Sequence, residues 1–341
     1  MTPRNGAIAV IALALGVAGV VTFNRTRHKG LSDEITSRWN ALGGEPWLLP
    51  DLEDARVVQP DRPHSFTEIR AWRKGEGAQI NRTREYRLRT NSQRLRGPEV
   101  APKDPRITRI IAIGDSVTHG WGVTEAESYP SQLQALLQKK GHRVEVINAG
   151  VPANRVSVMT RWCTRVAPAM QPDVLLWTRR PSHQSPAPIR EYVQSVKACQ
   201  QATGAQLLVV LPPISTFDLR GSQNWSSERD ALSQQLKPAG IIVLELTPAF
   251  RQAQAGRGEI LVDKGGVVAV VDQESGTTWL TAPKSPLDLH EDVYALFERE
   301  PSVREALFFD EGHPDAEGFK VFARTVAESV VPMLERHRGA L

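Results

Sequence analysis

The stretch RITRIIAIGD (106–115) ends a polar segment and begins the alternating pattern that decides the fold class. Four more short apolar runs rich in β-branched residues follow it: VEVINAG (144–150), DVLLWT (173–178), AQLLVVLPP (205–213) and GIIVLEL (240–246). Amphipathic segments of helical length separate them, among them YPSQLQALLQKK (129–140), IREYVQSVKACQQ (189–201) and SERDALSQQLK (227–237). Continuous apolar strands that alternate with helices predict an α/β protein, in which helices cover both faces of a parallel sheet.

The segments on either side of this pattern predict how the rest of the chain is organised. Residues 30–105 contain scattered Trp, Pro and Arg with little helical periodicity, which predicts an irregular lead-in with short strands. Within it, RTREYRLRTNSQRLR (82–96) alternates as a strand or hairpin would, and we expect its arginines on a solvated face rather than on an anionic polymer. Residues 106–341 form the main domain, with an insertion of strands at about 256–301 and a final helix from Asp315 to about Arg336.

Composition and charge exclude several classes of protein. With 40% hydrophobic and 23% charged residues, the 341-residue chain is an ordinary globular protein rather than a disordered or fibrous one. A net charge of +4 is small for this length, and we expect no nucleic-acid partner. The two cysteines, Cys163 and Cys199, fit no metal or redox spacing. We expect two buried thiols, with a disulfide only if the domain is exported.

A serine lies where the first predicted strand ends, in Gly114-Asp115-Ser116. Ligands of parallel sheets bind at the carboxyl ends of the strands, and a neighbouring glycine permits the backbone geometry that exposes the hydroxyl. Ser116 is therefore a candidate nucleophile, although the same three residues could simply form a capped turn.

A candidate base lies almost two hundred residues later, in FFDEGHPDAEGFKVFA (308–323). Asp310 and His313 are three residues apart and precede the last predicted helix, so a carboxylate can orient the imidazole that takes the serine proton. Alternatively, both residues cap that helix, although Asp315 is the better capping candidate. His119 is a rival base, but it lacks such a carboxylate, and we favour His313.

Four segments together resemble the characteristic blocks of the SGNH, or GDSL, hydrolases: GDSVTHGWGV (114–123), ESYP (127–130), VINAGVPANRV (146–156) and DEGHPDAEGF (310–319). The resemblance extends from Ile107 to Pro332 in order and spacing. It implies a flavodoxin-like, three-layer α/β/α fold with a central parallel sheet. It also implies hydrolysis of esters with no cofactor and no metal.

The resemblance assigns roles to individual residues. Ser116 matches the family's nucleophile, His313 its general base and Asp310 the aspartate that orients the base. Gly150 matches the glycine whose backbone N–H joins that of Ser116 in the oxyanion hole. Such donors stabilise the negative charge that develops on the carbonyl oxygen in the transition state.

The third block departs from the family pattern. Family members usually end the third strand with Gly-x-Asn-Asp, whose Asn side chain completes the oxyanion hole; here DVLLWT continues into Arg179-Arg180-Pro181-Ser182-His183. Ser182 could donate a hydroxyl hydrogen bond, and Arg180 or its neighbour a charged one. Asn154 is another nearby amide, although we expect it to start a helix.

The N-terminus predicts a membrane anchor or a signal segment in residues 1–29. AIAVIALALGVAGVVTF (7–23) is long enough to span a bilayer, and no small-residue cleavage site closes it, which favours an uncleaved anchor. By the positive-inside rule, the basic residues that follow this run instead favour an orientation with the globular domain on the cytoplasmic side. Partly on the resemblance, we expect an extracytoplasmic domain anchored in the membrane, or secreted or periplasmic if the segment is cleaved.

The leading hypothesis is therefore a serine esterase that removes acyl or acetyl groups from small-molecule, glycan or lipid esters through an acyl-serine intermediate. Two alternatives stay open. One is an O-acyltransferase, in which a sugar hydroxyl replaces water. The other is a catalytically impaired scaffold or carbohydrate-binding protein on the same fold, suggested by the missing third-block Asn.

Overall fold

The computed structural model describes residues 34, 37–38, 55–60, 83–152, 154–178, 189–213, 223–255, 260–264, 267–271, 278–283, 307 and 313–339. Two strands of the lead-in, β1 (Ala55–Pro60) and β2 (Thr83–Leu88), pair antiparallel. The predicted strand within 82–96 is thus present, but its partner lies upstream. In the same stretch Arg87 and Arg89 are exposed as expected, whereas Arg96 is buried, so the expectation of a solvated face is wrong for Arg96.

Five parallel strands form the central sheet. They are β3 (Thr108–Gly114), β4 (Val144–Gly150), β5 (Val174–Thr178), β6 (Gln206–Leu211) and β7 (Ile242–Glu245). Their spatial order is β4-β3-β5-β6-β7, so the first of these strands in the chain lies between the second and the third. This order confirms the predicted flavodoxin-like fold, and it opens a crevice at the carboxyl end of β3.

Helices connect and cover the strands. They are α1 (Ser116–His119), α2 (Tyr129–Lys139), α3 (Val156–Arg165), α4 (Ala167–Met170), α5 (Ile189–Thr203), α6 (Gln223–Leu236), α7 (Thr247–Ala255) and α8 (Ala316–Gly339). A 3₁₀ turn follows α6 at Lys237–Ala239. The predicted insertion contains β8 (Ile260–Lys264), β9 (Val267–Val271) and β10 (Thr278–Pro283), which form a separate antiparallel sheet.

The period of two along β3 divides the core into two layers. Ile111 and Ile113 point into a cluster with residues of α3 and α5, whereas Ile110 and Ala112 point into one with residues of α2 and α8. All four side chains are almost completely buried. Apolar residues on both faces of each strand therefore produce the three-layer α/β/α arrangement.

A disulfide joins two helices on one face of the sheet. Cys163 of α3 and Cys199 of α5 are bonded, with their Cα atoms 5.4 Å apart, and both are fully buried. The expectation of two thiols is therefore wrong. Both cysteines lie on the apolar faces of helices that pack against each other, an arrangement that a separation of 36 residues does not reveal.

The amino end of the sheet holds a cluster of charges in which Arg109 is buried and its neighbours are partly buried. The Arg109 guanidinium pairs with Glu145 and donates to the backbone carbonyls of Met170 (2.5 Å) and Ala101 (2.6 Å). Asp173 pairs with Lys103 and also accepts a hydrogen bond from the Arg109 backbone N–H (2.6 Å). Ala101 and Lys103 belong to the lead-in, so this cluster attaches the lead-in to the sheet.

None of the described helices is both long enough and apolar enough to cross a membrane. The anchor predicted for residues 7–23 lies outside the described residues and stays a prediction.

Candidate active site

Ser116 lies just beyond the carboxyl end of β3, at the first position of α1. Gly114, the last residue of β3, packs so closely against Thr118 that any side chain at Gly114 would overlap it. The Asp115 carboxylate accepts a hydrogen bond from the Val117 N–H (3.0 Å) and so caps the short helix. This tight turn holds the Ser116 side chain only partly buried, at the crevice that the strand order creates.

A histidine from the other end of the chain reaches this serine. Nε2 of His313 lies 2.8 Å from Oγ of Ser116, within hydrogen-bonding distance. The Asp315 carboxylate accepts a hydrogen bond from the Gly318 N–H (2.7 Å), and the Asp315 N–H donates to the Leu307 carbonyl (3.1 Å). Asp315 thus caps α8, as expected, and His313 is left to face Ser116.

Three predicted site residues lie outside the described residues: Asp310, Arg180 and Ser182. The last described residue before the third block, Thr178, pairs in register with Gly114. The end of β5 therefore lies beside the end of β3, the strand that precedes Ser116. The roles of these three residues stay predictions.

Gly150 ends β4 and packs against α1. A side chain at this position would overlap the backbone of Thr118 and His119. The Gly150 N–H donates to Oδ1 of Asn148 (3.0 Å). The structure therefore explains the glycine by the close approach of α1 to the sheet, and it shows the Gly150 N–H bonded to Asn148. The oxyanion role of that N–H stays a prediction.

Asn154 contacts the end of β3, the strand that precedes Ser116. The residue is buried, and its Nδ2 donates a long hydrogen bond to the Gly114 carbonyl (3.5 Å). Its Oδ1 has no hydrogen-bond partner among the described residues. The expectation that it starts a helix is wrong, because α3 begins after Arg155 and no side chain caps it. Asn154 thus places a side-chain amide beside Gly114, the last residue of β3, which lies two residues before Ser116.

His119 is unsuited to act as the base. It is almost fully buried, and burial, followed by the positive charge of Arg96, lowers its pKa to about 3. A group with so low a pKa is a weak base near neutral pH. The Trp121 ring contacts both histidines, with its centroid 6.3 Å from that of His119 and 6.3 Å from that of His313. Trp121 therefore forms a half-buried aromatic wall beside His313.

A network of buried hydroxyl groups lies beneath α1, the turn that begins with Ser116. The hydroxyl of Tyr129 is hydrogen-bonded to that of Thr178 (2.7 Å) and lies 3.4 Å from that of Thr118. Burial raises the pKa of Tyr129 well above its ordinary value, so this phenol stays protonated. The network links α1, α2 and the end of β5, and so fixes where the third block begins.

Two residues of the lead-in also lie near the site and were missed by the sequence analysis. Tyr86 packs edge-on against Trp121, with ring centroids 6.4 Å apart, and Arg96 lies over the Tyr86 ring. A signal for Tyr86 was present in the alternation of 82–96, since Tyr86 and Leu88 share the buried face of β2. No sequence signal separates Arg96 from the exposed arginines around it.

The described side chains are arranged for general-base activation of a hydroxyl. With Nε2 unprotonated, His313 can accept the Ser116 proton as the oxygen attacks an electrophile. No group of three or more His, Cys, Asp or Glu residues within the described ranges is placed to hold a metal ion.

The chain is similar to known proteins in sequence and in fold. Residues 112–321 match the GDSL-like lipase/acylhydrolase family. Among solved structures, a lipolytic protein of the G-D-S-L family from Desulfitobacterium hafniense is 18% identical (TM-score 0.42; 65% of this chain and 98% of that one). A family 3 carbohydrate esterase from Clostridium thermocellum is 14% identical (TM-score 0.44; 67% of this chain and 98% of that one). The esterase EstA from Pseudoalteromonas sp. is 13% identical (TM-score 0.41; 67% of this chain and 99% of that one). No similar sequence was found among curated proteins.

The family match spans more than half of the chain and includes the end of β3, Ser116 and the start of α8. The chain belongs to the GDSL-like lipase/acylhydrolase family and is a hydrolase that acts on ester bonds.

Proposed function

We propose that this protein is a serine esterase that removes acyl or acetyl groups from carbohydrate or lipid esters through an acyl-serine intermediate. The observation that carries the proposal is the 2.8 Å approach of His313 Nε2 to Ser116 Oγ at the carboxyl edge of the sheet. A serine hydroxyl is a poor nucleophile unless a base takes its proton, and this geometry supplies the base.

The proposed reaction proceeds in two displacements. Ser116 Oγ attacks the ester carbonyl while its proton passes to His313, and the imidazolium then protonates the leaving alcohol. Water next attacks the acyl-serine and gives a proton to His313, which passes it to Ser116 Oγ as the acyl–oxygen bond breaks and the acid leaves. Asp310, as the proposed orienting carboxylate, holds the imidazole in the required tautomer and stabilises its protonated form.

The oxyanion hole is proposed to use donors at the start of α1. The Ser116 N–H is the first of the helix and so has no acceptor within it. Asn154 offers an Nδ2 group at the same end of β3, in place of the amide that the third block lacks. Ser182 and Arg180 are the further candidates, and Gly150 would have to share the N–H that it donates to Asn148.

The substrate and its location are also proposed. Trp121 presents an apolar ring beside His313, a surface suited to a sugar ring or an acyl chain. The disulfide between Cys163 and Cys199 supports an oxidising compartment, and residues 7–23 would tether the domain outside the cytoplasm. Esters of the cell envelope are therefore the favoured substrates. Protease added to spheroplasts should digest the domain, whereas complete protection would contradict this topology.

Covalent labelling tests the proposed function. Full-length protein in detergent is treated with a fluorophosphonate, digested, and mapped by mass spectrometry. We expect the label on Ser116, lost in Ser116→Ala and retained in Ser157→Ala, which removes an exposed hydroxyl of α3. A folded protein that stays unlabelled would contradict the proposal and favour the scaffold alternative.

A second measurement separates hydrolysis from transfer. Unlabelled enzyme is assayed with a panel of p-nitrophenyl esters and with acetylated oligosaccharides, in the presence and absence of a sugar acceptor. We expect free acid as the product in both conditions. Acylated acceptor as the main product would instead identify an O-acyltransferase.

A further inference from the structure

Arg96 is a buried cation that the reaction described above does not use. It belongs to the lead-in, before the family match begins at residue 112, and only 3% of it is exposed. Its Nη1 donates to the carbonyls of His119 (2.6 Å) and Gly120 (2.7 Å), and its Nη2 donates to that of Val123 (2.7 Å). Burial lowers the pKa of Arg96, but an arginine stays charged in proteins. One guanidinium thus binds three neutral carbonyls of a single loop.

That loop, residues 119–123, leads directly away from the nucleophile. It follows α1, a single turn that is too short to be stable by itself. Gly120 turns the chain with φ +81°, and the N–H groups of Gly120 and Trp121 both donate to the Ser116 carbonyl (3.0 Å each). The path of the loop and the backbone of Ser116 are therefore fixed together, and the Arg96 guanidinium binds the carbonyls of this same turn.

The loop also carries the aromatic wall of the site. The Trp121 centroid lies 6.3 Å from that of His313, and the same ring meets Tyr86 edge-on, with centroids 6.4 Å apart. The Arg96 guanidinium lies 5.6 Å from the Tyr86 centroid, a cation–π distance. Arg96 is thus connected to the base by ring contacts and to the nucleophile by the loop backbone.

The lead-in strand geometry holds Arg96 in place. Arg96 forms a bridge with Asn148 of β4, the strand at one edge of the sheet, and another with Thr90. Asn148 in turn donates from its Nδ2 to the His119 carbonyl (3.3 Å). The lead-in therefore extends the sheet at the edge next to the site, and its backbone fixes where the guanidinium lies.

We propose that Arg96 is a positioning residue for ester hydrolysis: it orders loop 119–123 and so holds Ser116 and Trp121 in register with His313. The proposal rests on the proposed serine mechanism. It makes the lead-in a part of the active site, although the lead-in lies outside the region that matches the family. A misplacement of reacting groups by about 1 Å can reduce the rate by about a hundredfold. Loss of Arg96 should therefore lower kcat rather than merely weaken substrate binding.

Arg109 supplies a matched control. It is as deeply buried as Arg96 and also binds two backbone carbonyls, but it lies at the opposite end of the sheet. If the role of Arg96 is purely structural, Arg96→Met and Arg109→Met should both destabilise the protein. The molecules that do fold should then have the kcat and KM of wild type in both variants. A positioning role predicts that only the Arg96 variants change those kinetics.

The experiment measures kcat and KM of the full-length protein in detergent for p-nitrophenyl acetate and butyrate, per active site titrated with a fluorophosphonate. We expect Arg96→Met to lower kcat by about tenfold or more with KM changed by less than about threefold, and Arg109→Met to keep kcat within about twofold. We expect Arg96→Lys to fall between wild type and Arg96→Met, because one ammonium retains the charge but cannot span three carbonyls.

The outcomes separate this proposal from the one on which it rests. An active wild type whose Arg96→Met and Arg96→Lys variants keep wild-type kcat would overturn the positioning role alone. An equal loss of kcat in Arg109→Met would overturn it as well. If Arg96→Met does not fold, Arg96→Lys decides between the same outcomes. A folded wild type that neither hydrolyses esters nor takes the label would overturn the serine mechanism and this proposal together.

Discussion

Two clusters at opposite ends of the central sheet differ in how their polar groups are partnered. At the amino end, Arg109 pairs with Glu145 and Lys103 pairs with Asp173, so each cation has a carboxylate partner. These contacts join β3 to β4, to the start of β5 and to the lead-in. Every group in this cluster that we have described is satisfied by another group of the folded chain.

At the carboxyl end the polar groups are not balanced in this way. Arg96 donates to backbone carbonyls rather than to a carboxylate, and both Oδ1 of Asn154 and Nδ1 of His119 have no partner among the described residues. Buried polar atoms without a partner destabilise a fold, so their presence here points to a requirement other than stability. The contrast assigns stability to the amino end and chemistry to the carboxyl end, and each half of it can be tested.

The largest expected effect is that of Ser116→Ala on catalysis. The substitution removes the proposed nucleophile from a partly exposed position, and kcat for p-nitrophenyl acetate should fall by roughly three orders of magnitude or more. The thermal unfolding midpoint should stay close to that of wild type. Turnover near the wild-type rate would show that Ser116 is not the nucleophile.

The next effect concerns the oxyanion hole. If Asn154 donates to the oxyanion, Asn154→Ala should lower kcat and kcat/KM together, by an amount corresponding to about 2.7–4 kcal/mol. Asn154→Asp should be at least as damaging, because it keeps the shape but replaces a donor with an anion. The same measurement on Ser182→Ala distinguishes the candidates: a large loss there with an unaffected Asn154→Ala would assign the role to the third block.

At the amino end, Asp173→Ala should affect stability and not catalysis. The mostly buried carboxylate accepts from Lys103 and from the Arg109 N–H, and its loss should reduce the free energy of unfolding by about 2–3 kcal/mol. Asp104→Ala is the control on the same side of the sheet, since its partner Arg106 is exposed and such pairs contribute little. A fall in kcat per titrated site in Asp173→Ala would break the proposed division between the two ends.

The sequence was sufficient for features that rest on local patterns. The apolar runs predicted five parallel strands, because strands buried on both faces need apolar residues throughout. The resemblance to the family then implied the flavodoxin-like three-layer fold and paired Ser116 with His313, and the structure shows both the fold and the proximity of these two residues.

Features that depend on tertiary contacts were not predictable in the same way. Cys163 and Cys199 bond only because α3 and α5 pack side by side, which spacing alone does not indicate. Arg96 lies among exposed arginines, and its acceptors are backbone carbonyls, which every residue type carries. The prediction that Asn154 caps a helix is wrong because it rests on the preference of asparagine for helix starts, which is a local property of the sequence. The observed contact of Asn154 is with Gly114, 40 residues earlier in the chain.

The smallest effect tests the carboxyl end through pH. Burial, with the charges of Arg96 and His313 adding to it and a hydrogen bond with the Gly150 backbone opposing it, lowers the pKa of His119 to about 3 in the folded protein, from 6.5. Between these values the unfolded chain binds one more proton than the folded one, so stability falls as the pH falls. At pH 5 this contribution amounts to about 2 kcal/mol relative to pH 7.

Urea unfolding at pH 7 and pH 5 measures this loss, and His119→Gln is the variant that removes it. Glutamine fills a similar volume but does not titrate, so the difference in free energy of unfolding between the two pH values should shrink by about 2 kcal/mol in the variant. An unchanged pH dependence would mean that His119 can be protonated in the folded state. Its imidazole would then not be held neutral beside Arg96, and the contrast between the two ends of the sheet would lose one of its groups.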